Sequence, residues 1–376
     1  MSNILITGGA GFIGSHLARM ALAAGHRVRI FDNLSPQIHG DGSSYAPPPG
    51  AEFQRGDITN RADVEHSLDG MEAIAHLAAE TGTGQSMYEI DRYYRVNVQG
   101  TALLFDVLAN NAHSVRNIVL ASSRSVYGEG AYLCRNCAPE GVRRFPDARS
   151  PAQLEQNKWT APCSICGGML EPTATREDDP LAPSSVYAAT KLAQEELTRV
   201  ACSSLGIAHA ILRFQNVFGE GQSLNNPYTG ILSIFSTRIR LGLSLPIFED
   251  GEETRDFVHV EDVVRVVLHC LEAALPSCVT LNVGRGEPAS IRMVADLLCR
   301  ILGSTVKPHV TGEYRVGDIR HNYADIRRLQ QVAGVTPAIS LEEGMRRFCD
   351  WVATQPIPQD LLDKANSELR ARRLMG

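Results

Sequence analysis

Tyr187 and Lys191 form the residue pair in this sequence with the clearest capacity for acid–base chemistry. Their spacing of four places both side chains on one face of a helix. A free tyrosine has a pKa of about 10, and a nearby ammonium favours its phenolate form. We therefore expect the pKa of Tyr187 to fall toward working pH, so that it could take a proton from a hydroxyl group. A surface Tyr/Lys pair is the ordinary alternative.

A glycine turn near the N-terminus indicates what this base would work with. Gly8, Gly11 and Gly14 follow a predicted strand and open a predicted helix, so a pyrophosphate could lie on the helix N-terminus. Asp32 ends the next predicted strand, where a carboxylate binds a ribose 2′-hydroxyl and repels a 2′-phosphate. The pattern predicts NAD rather than NADP. A bound nicotinamide, being positive, would also favour the phenolate of Tyr187.

Four of the nine cysteines are grouped as two Cys-x-x-Cys pairs separated by 25 residues: Cys134, Cys137, Cys163 and Cys166. Four thiolates so arranged suit a tetrahedral zinc, and an all-cysteine set leaves no position open for catalysis. We therefore predict a structural zinc. A redox dithiol is the alternative, although neither pair begins a helix as a thioredoxin-like motif would.

The elements that must position these residues alternate between strands and helices in the first half of the chain. Predicted strands and helices cover the ranges 3–7, 14–24, 27–31, 52–56, 64–68, 73–77, 94–110 and 117–121. This alternation predicts an α/β fold with a doubly wound parallel sheet. Regular spacing breaks across the cysteine-bearing insertion, residues 131–175. We predict a Rossmann domain over 1–217 and a smaller α+β substrate domain over 218–376, with part of 254–284 returning to the Rossmann core.

Composition excludes several classes of protein. The chain has 376 residues, a formal net charge of −6 and a sequence pI near 6.0, which argues against a general grip on nucleic acid. No apolar run reaches the roughly 20 residues of a membrane span, so no membrane partner is predicted. The N-terminus has neither the basic stretch nor the small-residue cleavage site of a signal peptide. We expect a cytoplasmic protein.

Taken together, these motifs resemble the extended short-chain dehydrogenase/reductase superfamily. The spacing Gly-x-x-Gly-x-x-Gly, the segments 76–79, 96–101, 213–219 and 255–260, and the Tyr-x-x-x-Lys pair carry the resemblance, which covers the chain apart from the insertion. It implies cofactor contacts from Gly8, Gly11, Phe12, Ile13, Gly14, Asp32, Asn33, Asp57, Ile58, Leu77, Ala78, Ala79, Asn97, Phe214, Tyr187 and Lys191. It also implies a homodimer through the helices near 94–110 and 187.

The resemblance supplies a third catalytic residue and narrows the reaction. Counting back from Val126-Tyr127-Gly128, Ser123 falls at the catalytic position, with Ser122 and then Ser125 as weaker alternatives. Family 4,6-dehydratases carry Asp-Glu after this position, and UDP-glucuronate decarboxylases carry Glu where Ser125 stands. Here Arg124 and Ser125 occupy those places, so the residues present support only hydride transfer between an alcohol and a ketone. This implies a C4 epimerase.

The expected substrate is a nucleotide-activated sugar. The resemblance implies contacts from Thr83, Gln85, Ser86, Ser123, Asn216, Asn226, Arg255, Arg315 and Asp318. Loops 80–90, 222–230 and 247–251 are similar to those of dTDP-L-rhamnose 4-epimerases, whose product is dTDP-6-deoxy-L-talose. UDP-glucose/UDP-galactose 4-epimerase is the alternative, followed by a C2 epimerase, a reductase with exchangeable cofactor, and a non-catalytic NAD-binding zinc scaffold. The insertion is hypothesised to shape sugar selection or an oligomer contact.

Overall fold

The computed structural model describes residues 1–40, 42, 45–224, 230–273 and 278–376. Its large sheet contains seven strands, β1 (Asn3–Thr7), β2 (Arg27–Asp32), β3 (Glu52–Arg55), β4 (Ala73–His76), β5 (Asn117–Ser123), β6 (Ala208–Phe214) and β7 (Cys278–Val283). All neighbouring strands run parallel, in the order β7-β6-β5-β4-β1-β2-β3. The chain therefore winds outward from β1 in one direction and then in the other, and the predicted doubly wound sheet is confirmed.

Helices cover both faces of this sheet. They are α1 (Phe12–Ala23), α2 (Arg61–Leu68), α3 (Gly100–Asn110), α4 (Val186–Leu205) and α5 (Val260–Glu272). Successive residues of β1 show why two layers are needed, since Ile4 and Ile6 pack with α1 and α5, while Leu5 packs with α2 and α3. Among the helices within the described ranges, none is long and apolar enough to cross a bilayer.

The helix predicted over 94–110 has two parts. Residues Tyr94–Gln99 form a wide π-type turn, and the regular α3 begins only at Gly100. Asn97 lies in the wide turn, where its side chain bonds to both backbone groups of Glu80 and to the hydroxyl of Thr190 on α4. Such π-type segments recur at functional sites. Here the widened turn holds the segment after β4 against α4.

The C-terminal part is α+β, as predicted. Its strands are Asn216–Phe218, Leu245–Ile247, Thr254–His259, Pro288–Ser290, Pro308–Val310 and His321–Asn322, and its helices are Ile231–Arg240, Ile291–Ile301, Leu341–Thr354 and Leu362–Ala371, with a π-type turn over Leu329–Ala333. Phe218, Phe235, Leu298 and Phe348 lie in its core. Both α5 and β7, together with Leu329 and Ala333 of the π-type turn, belong instead to the large-sheet core, so the chain passes between the two cores several times.

The insertion is more regular than its sequence indicates. It forms a three-stranded antiparallel sheet from Tyr132–Cys134, Val142–Arg144 and Glu171–Pro172, with a short helix over Pro151–Glu155. Its own core is small and consists of Tyr132, Cys134, Cys163 and Leu170. A core of this size is too small to stabilise a fold alone, so the insertion needs additional cross-links.

Candidate active site

The glycine turn joins β1 to α1 in a conformation that requires glycine. Gly8 has a φ of +67°, and a Cβ there would lie 2.8 Å from the backbone of Ala78. A Cβ at Gly14 would lie 2.5 Å from the carbonyl oxygen of Gly8. Because α1 begins at Phe12, the first-turn amides, such as those of Phe12 and Ile13, have no acceptor within the helix. The turn therefore presents donors that fit a pyrophosphate group.

The carboxylate of Asp32 is held beside this turn. It accepts hydrogen bonds from the backbone amides of Ala10 at 3.1 Å and Leu34 at 2.9 Å. Asn33 follows and donates to Asp57, which lies just after β3, at 3.1 Å. These residues lie beyond the carboxyl ends of β2 and β3, where open α/β sheets bind ligands. The donor turn and the adjacent carboxylate together fit the pyrophosphate and a ribose of NAD.

The remaining cofactor candidates lie along the same edge of the sheet, except for one that acts within the protein. Those that follow strands or begin α1 are Gly11, Ile58, Leu77, Ala78, Ala79 and Phe214. The amide of Ala78 donates to the hydroxyl of Thr7 at 3.2 Å, which holds this segment beside β1. Asn97 is fully buried and already bonded to Glu80 and Thr190. It therefore positions the segment after β4.

The structure brings Ser123, Tyr187 and Lys191 together at the end of β5. Helix α4 begins immediately before Tyr187, where the hydroxyl of Ser185 caps it by accepting the amide of Ala188. The side chains of Ser123 and Tyr187 lie close enough for the serine hydroxyl to lower the pKa of Tyr187. The Nζ atom of Lys191 lies 6.0 Å from the centre of the Tyr187 ring. This is an arrangement in which a serine and a tyrosine can share one substrate oxygen.

Burial changes the expected acid–base balance. Burial raises the pKa of Tyr187, although the hydrogen bond from Ser123 and the charge of Arg124 oppose it. Burial also lowers the pKa of Lys191 to about 7, and its Nζ donates to the carbonyl of Ala121 at 2.9 Å. The fall in the Tyr187 pKa predicted from the Lys191 spacing is therefore wrong for the protein groups by themselves. The nicotinamide charge in that prediction belongs to the bound cofactor.

The candidates at 83–86 lie on a short helix that supports Tyr187. The Ser86 hydroxyl donates to the Thr83 carbonyl at 2.6 Å and accepts the backbone amide of Tyr187 at 3.0 Å. Gln85 is buried and its amide donates to Gln37 and Glu89. Ser86 and Gln85 are thus engaged inside the protein, and Thr83 is the more accessible of the three side chains.

Arg255 connects the predicted substrate contacts Arg315 and Asp318, and these three residues form the candidate nucleotide clamp. Its guanidinium is buried and donates to the carbonyl groups of Ile319 at 2.7 Å and Arg320 at 3.0 Å. These bonds connect the strand Thr254–His259 to the segment that carries Arg315 and Asp318. The Arg315 guanidinium stacks on the ring of Phe248 at 4.6 Å, and its Nη2 donates to Asn366 at 3.0 Å. Asn226, the other predicted contact, lies outside the described residues.

Arg124 is the site residue that sequence analysis missed. It follows Ser123 directly, and its Nε donates to Oδ1 of Asn216 at 2.9 Å. It also lies within electrostatic reach of Tyr187, Arg255 and Asp318. The signal was present, because an arginine replaces an acid at the catalytic turn, but the sequence analysis used it only to exclude other reactions.

The four grouped cysteines converge on one point. Their Sγ atoms all lie within 4.8 Å of one another, with 3.4 Å between Cys134 and Cys166 and 3.8 Å between Cys137 and Cys163. In a tetrahedron with Zn–S bonds of about 2.3 Å, sulfur atoms are separated by about 3.8 Å. The set therefore fits a tetrahedral, thiolate-bound metal. Gly167, which follows Cys166, has a φ of +70° and completes the knuckle turn.

A buried ion-pair network joins the insertion to the clamp. The Arg149 side chain is 1% exposed and pairs with Glu129 at 2.9 Å and with Glu249 at 2.8 Å. Its Nη2 donates to the carbonyl of Asp318 at 2.9 Å, and Glu129 accepts the amide of Arg320 at 2.7 Å. Sequence analysis did not identify this network, because its members are far apart along the chain.

Known proteins resemble this chain in sequence and in fold. The dTDP-L-rhamnose 4-epimerase of Burkholderia thailandensis is 39% identical over 94% of this chain and 95% of its own length. The mouse UDP-glucose 4-epimerase is 26% identical over 95% of this chain and 98% of its own length.

Solved structures of nucleotide-sugar epimerases also resemble this chain. A Thermotoga maritima UDP-glucose 4-epimerase with UDP-glucose matches with a TM-score of 0.76 and 27% identity, over 93% of this chain and 98% of that chain. A Thermus thermophilus UDP-glucose 4-epimerase complex with NAD matches with a TM-score of 0.73 and 25% identity, over 94% of this chain and 100% of that chain. The predicted class of enzyme, an NAD-dependent nucleotide-sugar 4-epimerase, is confirmed. The pattern of the NAD dependent epimerase/dehydratase family matches residues 4–141 and 161–284, and the chain belongs to that family.

Proposed function

We propose that this enzyme inverts C4 of a nucleotide-activated 6-deoxysugar, converting dTDP-L-rhamnose to dTDP-6-deoxy-L-talose. The observation that carries the chemistry is the convergence of Ser123 and Tyr187 at the end of β5, with Lys191 one helical turn after Tyr187. Arg124 and Ser125 add no carboxylate beside this pair, which leaves a hydride step and its reversal. The 39% identity to the Burkholderia enzyme, over nearly the full length of both chains, supports this sugar.

The residues have separate tasks in this reaction. Tyr187, as phenolate, accepts the proton of the C4 hydroxyl, while Ser123 holds the same oxygen. NAD, when bound at the glycine turn, supplies the acceptor and donor for the C4 hydride. Inversion requires the 4-keto sugar to present its opposite face before the hydride returns. Arg255, Arg315 and Asp318 would hold the nucleotide during that rotation, since a bidentate guanidinium suits a diphosphate.

Proton NMR tests the substrate and the reaction directly. The purified protein would be incubated in deuterated water with dTDP-L-rhamnose and, in parallel, with UDP-glucose. Conversion of the first sugar to its C4 epimer, with no deuterium on carbon, is the expected result. Preferential conversion of UDP-glucose would favour the alternative substrate. Deuterium at C3 or C5 would indicate enolisation, and turnover that needs added NAD or NADH would indicate a reductase.

We also propose that Cys134, Cys137, Cys163 and Cys166 bind one structural zinc ion. The spacing of their sulfur atoms, and the small core of the insertion, support a metal cross-link. All four ligands come from the protein, so no position remains for substrate. Elemental analysis of the purified protein should give about one zinc per chain. Absence of metal, with a reversible Cys-x-x-Cys disulfide instead, would support the redox alternative.

We propose a homodimer that uses the surface of the 94–110 region and of α4. Val200 on α4 and Tyr94 on the wide turn are exposed apolar side chains, 68% and 44% accessible in the single chain. Exposed apolar groups on neighbouring helices suit a subunit contact. Sedimentation equilibrium should give twice the chain mass, and Val200→Glu should shift that equilibrium toward monomer. A monomeric wild-type protein would contradict this assembly.

A further inference from the structure

Arg124 contributes a guanidinium to the catalytic turn. It begins the 3-10 turn Arg124–Tyr127 that follows β5, directly after Ser123. Its Nε donates to Asn216, and within the described part of the chain the structure gives this guanidinium no other hydrogen bond. Arginine has five N–H donors and no acceptor. The terminal nitrogens of Arg124 are therefore available to oxygen atoms of a ligand in the site.

The groups around Arg124 determine its charge and how far that charge is neutralised. Burial, together with the nearby positive charge of Arg255, lowers the pKa of Arg124 to about 9. Arg124 therefore remains positive at neutral pH. Asp256 and Asp318 oppose this effect, but the carboxylate of Asp256 already accepts the amides of Arg285 and Gly286. No carboxylate within the described residues forms an ion pair with Arg124.

The bond to Asn216 also fixes the direction of an amide. Because a guanidinium only donates, the atom of Asn216 that it contacts must be the oxygen Oδ1. The Nδ2 group of Asn216 has no hydrogen-bond partner among the described residues, and it can donate to a substrate acceptor. Arg124 thus sets which half of this amide acts on the ligand.

The surroundings of Tyr187 place the positive charge of Arg124 at the reacting end of the site. Ser123 from β5 lies beside the Tyr187 hydroxyl, Lys191 lies on the same helix, and the Tyr93 ring lies within electrostatic reach. Burial raises the Tyr187 pKa, and Ser123 and Arg124 are the groups that lower it.

Taking the proposed epimerase reaction as given, we propose that Arg124 is a positioning residue for it. Arg124 directs the amide of Asn216 toward the sugar and places its positive charge directly after Ser123, at the end of β5. The ligand group that it serves is the sugar, with its hydroxyl oxygens, rather than the diphosphate.

The test compares Arg124→Met, which is uncharged and of similar length, with Arg124→Lys, which keeps the charge. In Arg124→Met the acid limb of kcat/KM should move to higher pH by about one unit, so the rate on that limb falls about tenfold. Arg124→Lys should keep the wild-type pH profile and raise KM, because a lysine does not reproduce the Nε bond to Asn216. Inhibition by dTDP alone should not change in either variant.

A second readout does not depend on turnover. Ultraviolet titration of tyrosinate, with Tyr187→Phe as the reference that lacks this ionisation, should show the Tyr187 transition moving upward in Arg124→Met but not in Arg124→Lys. An unchanged titration in Arg124→Met would overturn the proposal. Weakened dTDP inhibition in parallel with KM would also overturn it, because the ligand would then be the diphosphate. If neither sugar turns over in wild type, the epimerase assignment fails while the titration still reports on Arg124.

Discussion

The catalytic edge of the large sheet and the cysteine-bearing insertion are held in place by different means. At the catalytic edge, Ser123 ends a strand and Tyr187 begins a helix, so both are positioned by regular elements with large cores. In the insertion, a small core is supplemented by four converging sulfur atoms and by the buried Arg149. The catalytic residues are thus positioned by the strand and helix that carry them, whereas the insertion is held by cross-links between residues that are far apart in the sequence.

The largest expected effect belongs to the catalytic edge. Tyr187→Phe removes the proton acceptor but keeps the buried ring, so kcat should fall by about 10²- to 10⁴-fold, the range of general acid–base catalysis. Thermal stability should stay close to wild type. Tyr323→Phe, at a half-buried tyrosine in the C-terminal part, is the control and should retain full activity. Comparable activity in the two variants would show that Tyr187 is not the base.

The second prediction concerns the four sulfur atoms. Cys134→Ser with Cys163→Ser should abolish metal binding and should make segment 135–168 sensitive to protease, because the small core of the insertion would lose its cross-link. The Rossmann core should still bind NAD. Cys278→Ser is the matched control, since Cys278 is a free, exposed thiol. Unchanged protease resistance in the double variant would show that the cysteines do not hold the insertion together.

The third prediction concerns the network that joins the insertion to the clamp. Arg149→Met leaves Glu129 buried without its cation and leaves Glu249 with Arg320 alone. Breaking a buried ion pair in this way costs about 3 to 5 kcal/mol of unfolding free energy. Adding Glu129→Gln should recover part of that loss. Denaturant unfolding measures both variants. A loss of stability below about 1 kcal/mol in Arg149→Met, the size expected for solvated ion pairs, would mean that the network is open to water.

The same comparison explains which features the sequence predicted. The turn from Gly8 to Gly14 and the carboxylate of Asp32 carry local signals, because glycine conformation and strand ends depend on near neighbours. Arg149 has its partner Glu249 at a separation of 100 residues. Arg124 likewise contacts Asn216 across 92 residues. Such pairs arise only when the chain folds, and a single sequence contains no periodic pattern that indicates them.

The predicted direction of the Tyr187 pKa shift is wrong for the protein groups by themselves, for a related reason. The Tyr-x-x-x-Lys spacing correctly places Lys191 on the same helical face, but it carries no information on how deeply that face is buried. Burial raises the pKa of the phenol and lowers that of the ammonium, so it opposes the charged form of both groups. Predicting an electrostatic effect therefore requires the packing as well as the spacing.

The smallest expected effect concerns Glu253, which lies beside Arg320 at the border between the clamp and the insertion network. Burial raises its pKa from 4.5 to about 7. Between pH 4.5 and about 7, the folded state therefore keeps a proton on Glu253 that the unfolded state has released. As a result, this group makes the unfolding free energy fall as pH rises through that range.

Glu253→Gln removes that titration while it keeps the shape of the side chain. Relative to wild type, the variant should gain unfolding free energy on the order of 1 kcal/mol at pH 8 and gain nothing from this source at pH 4. Chemical denaturation at the two pH values measures the difference, and Glu252→Gln, at the exposed neighbouring carboxylate, is the control. A Glu253→Gln variant that is less stable than wild type at pH 8 would instead mean that the ionised Glu253 carboxylate stabilises the network through Arg320. The positive and negative charges of the ion pairs that extend from Arg149 to the clamp would then balance.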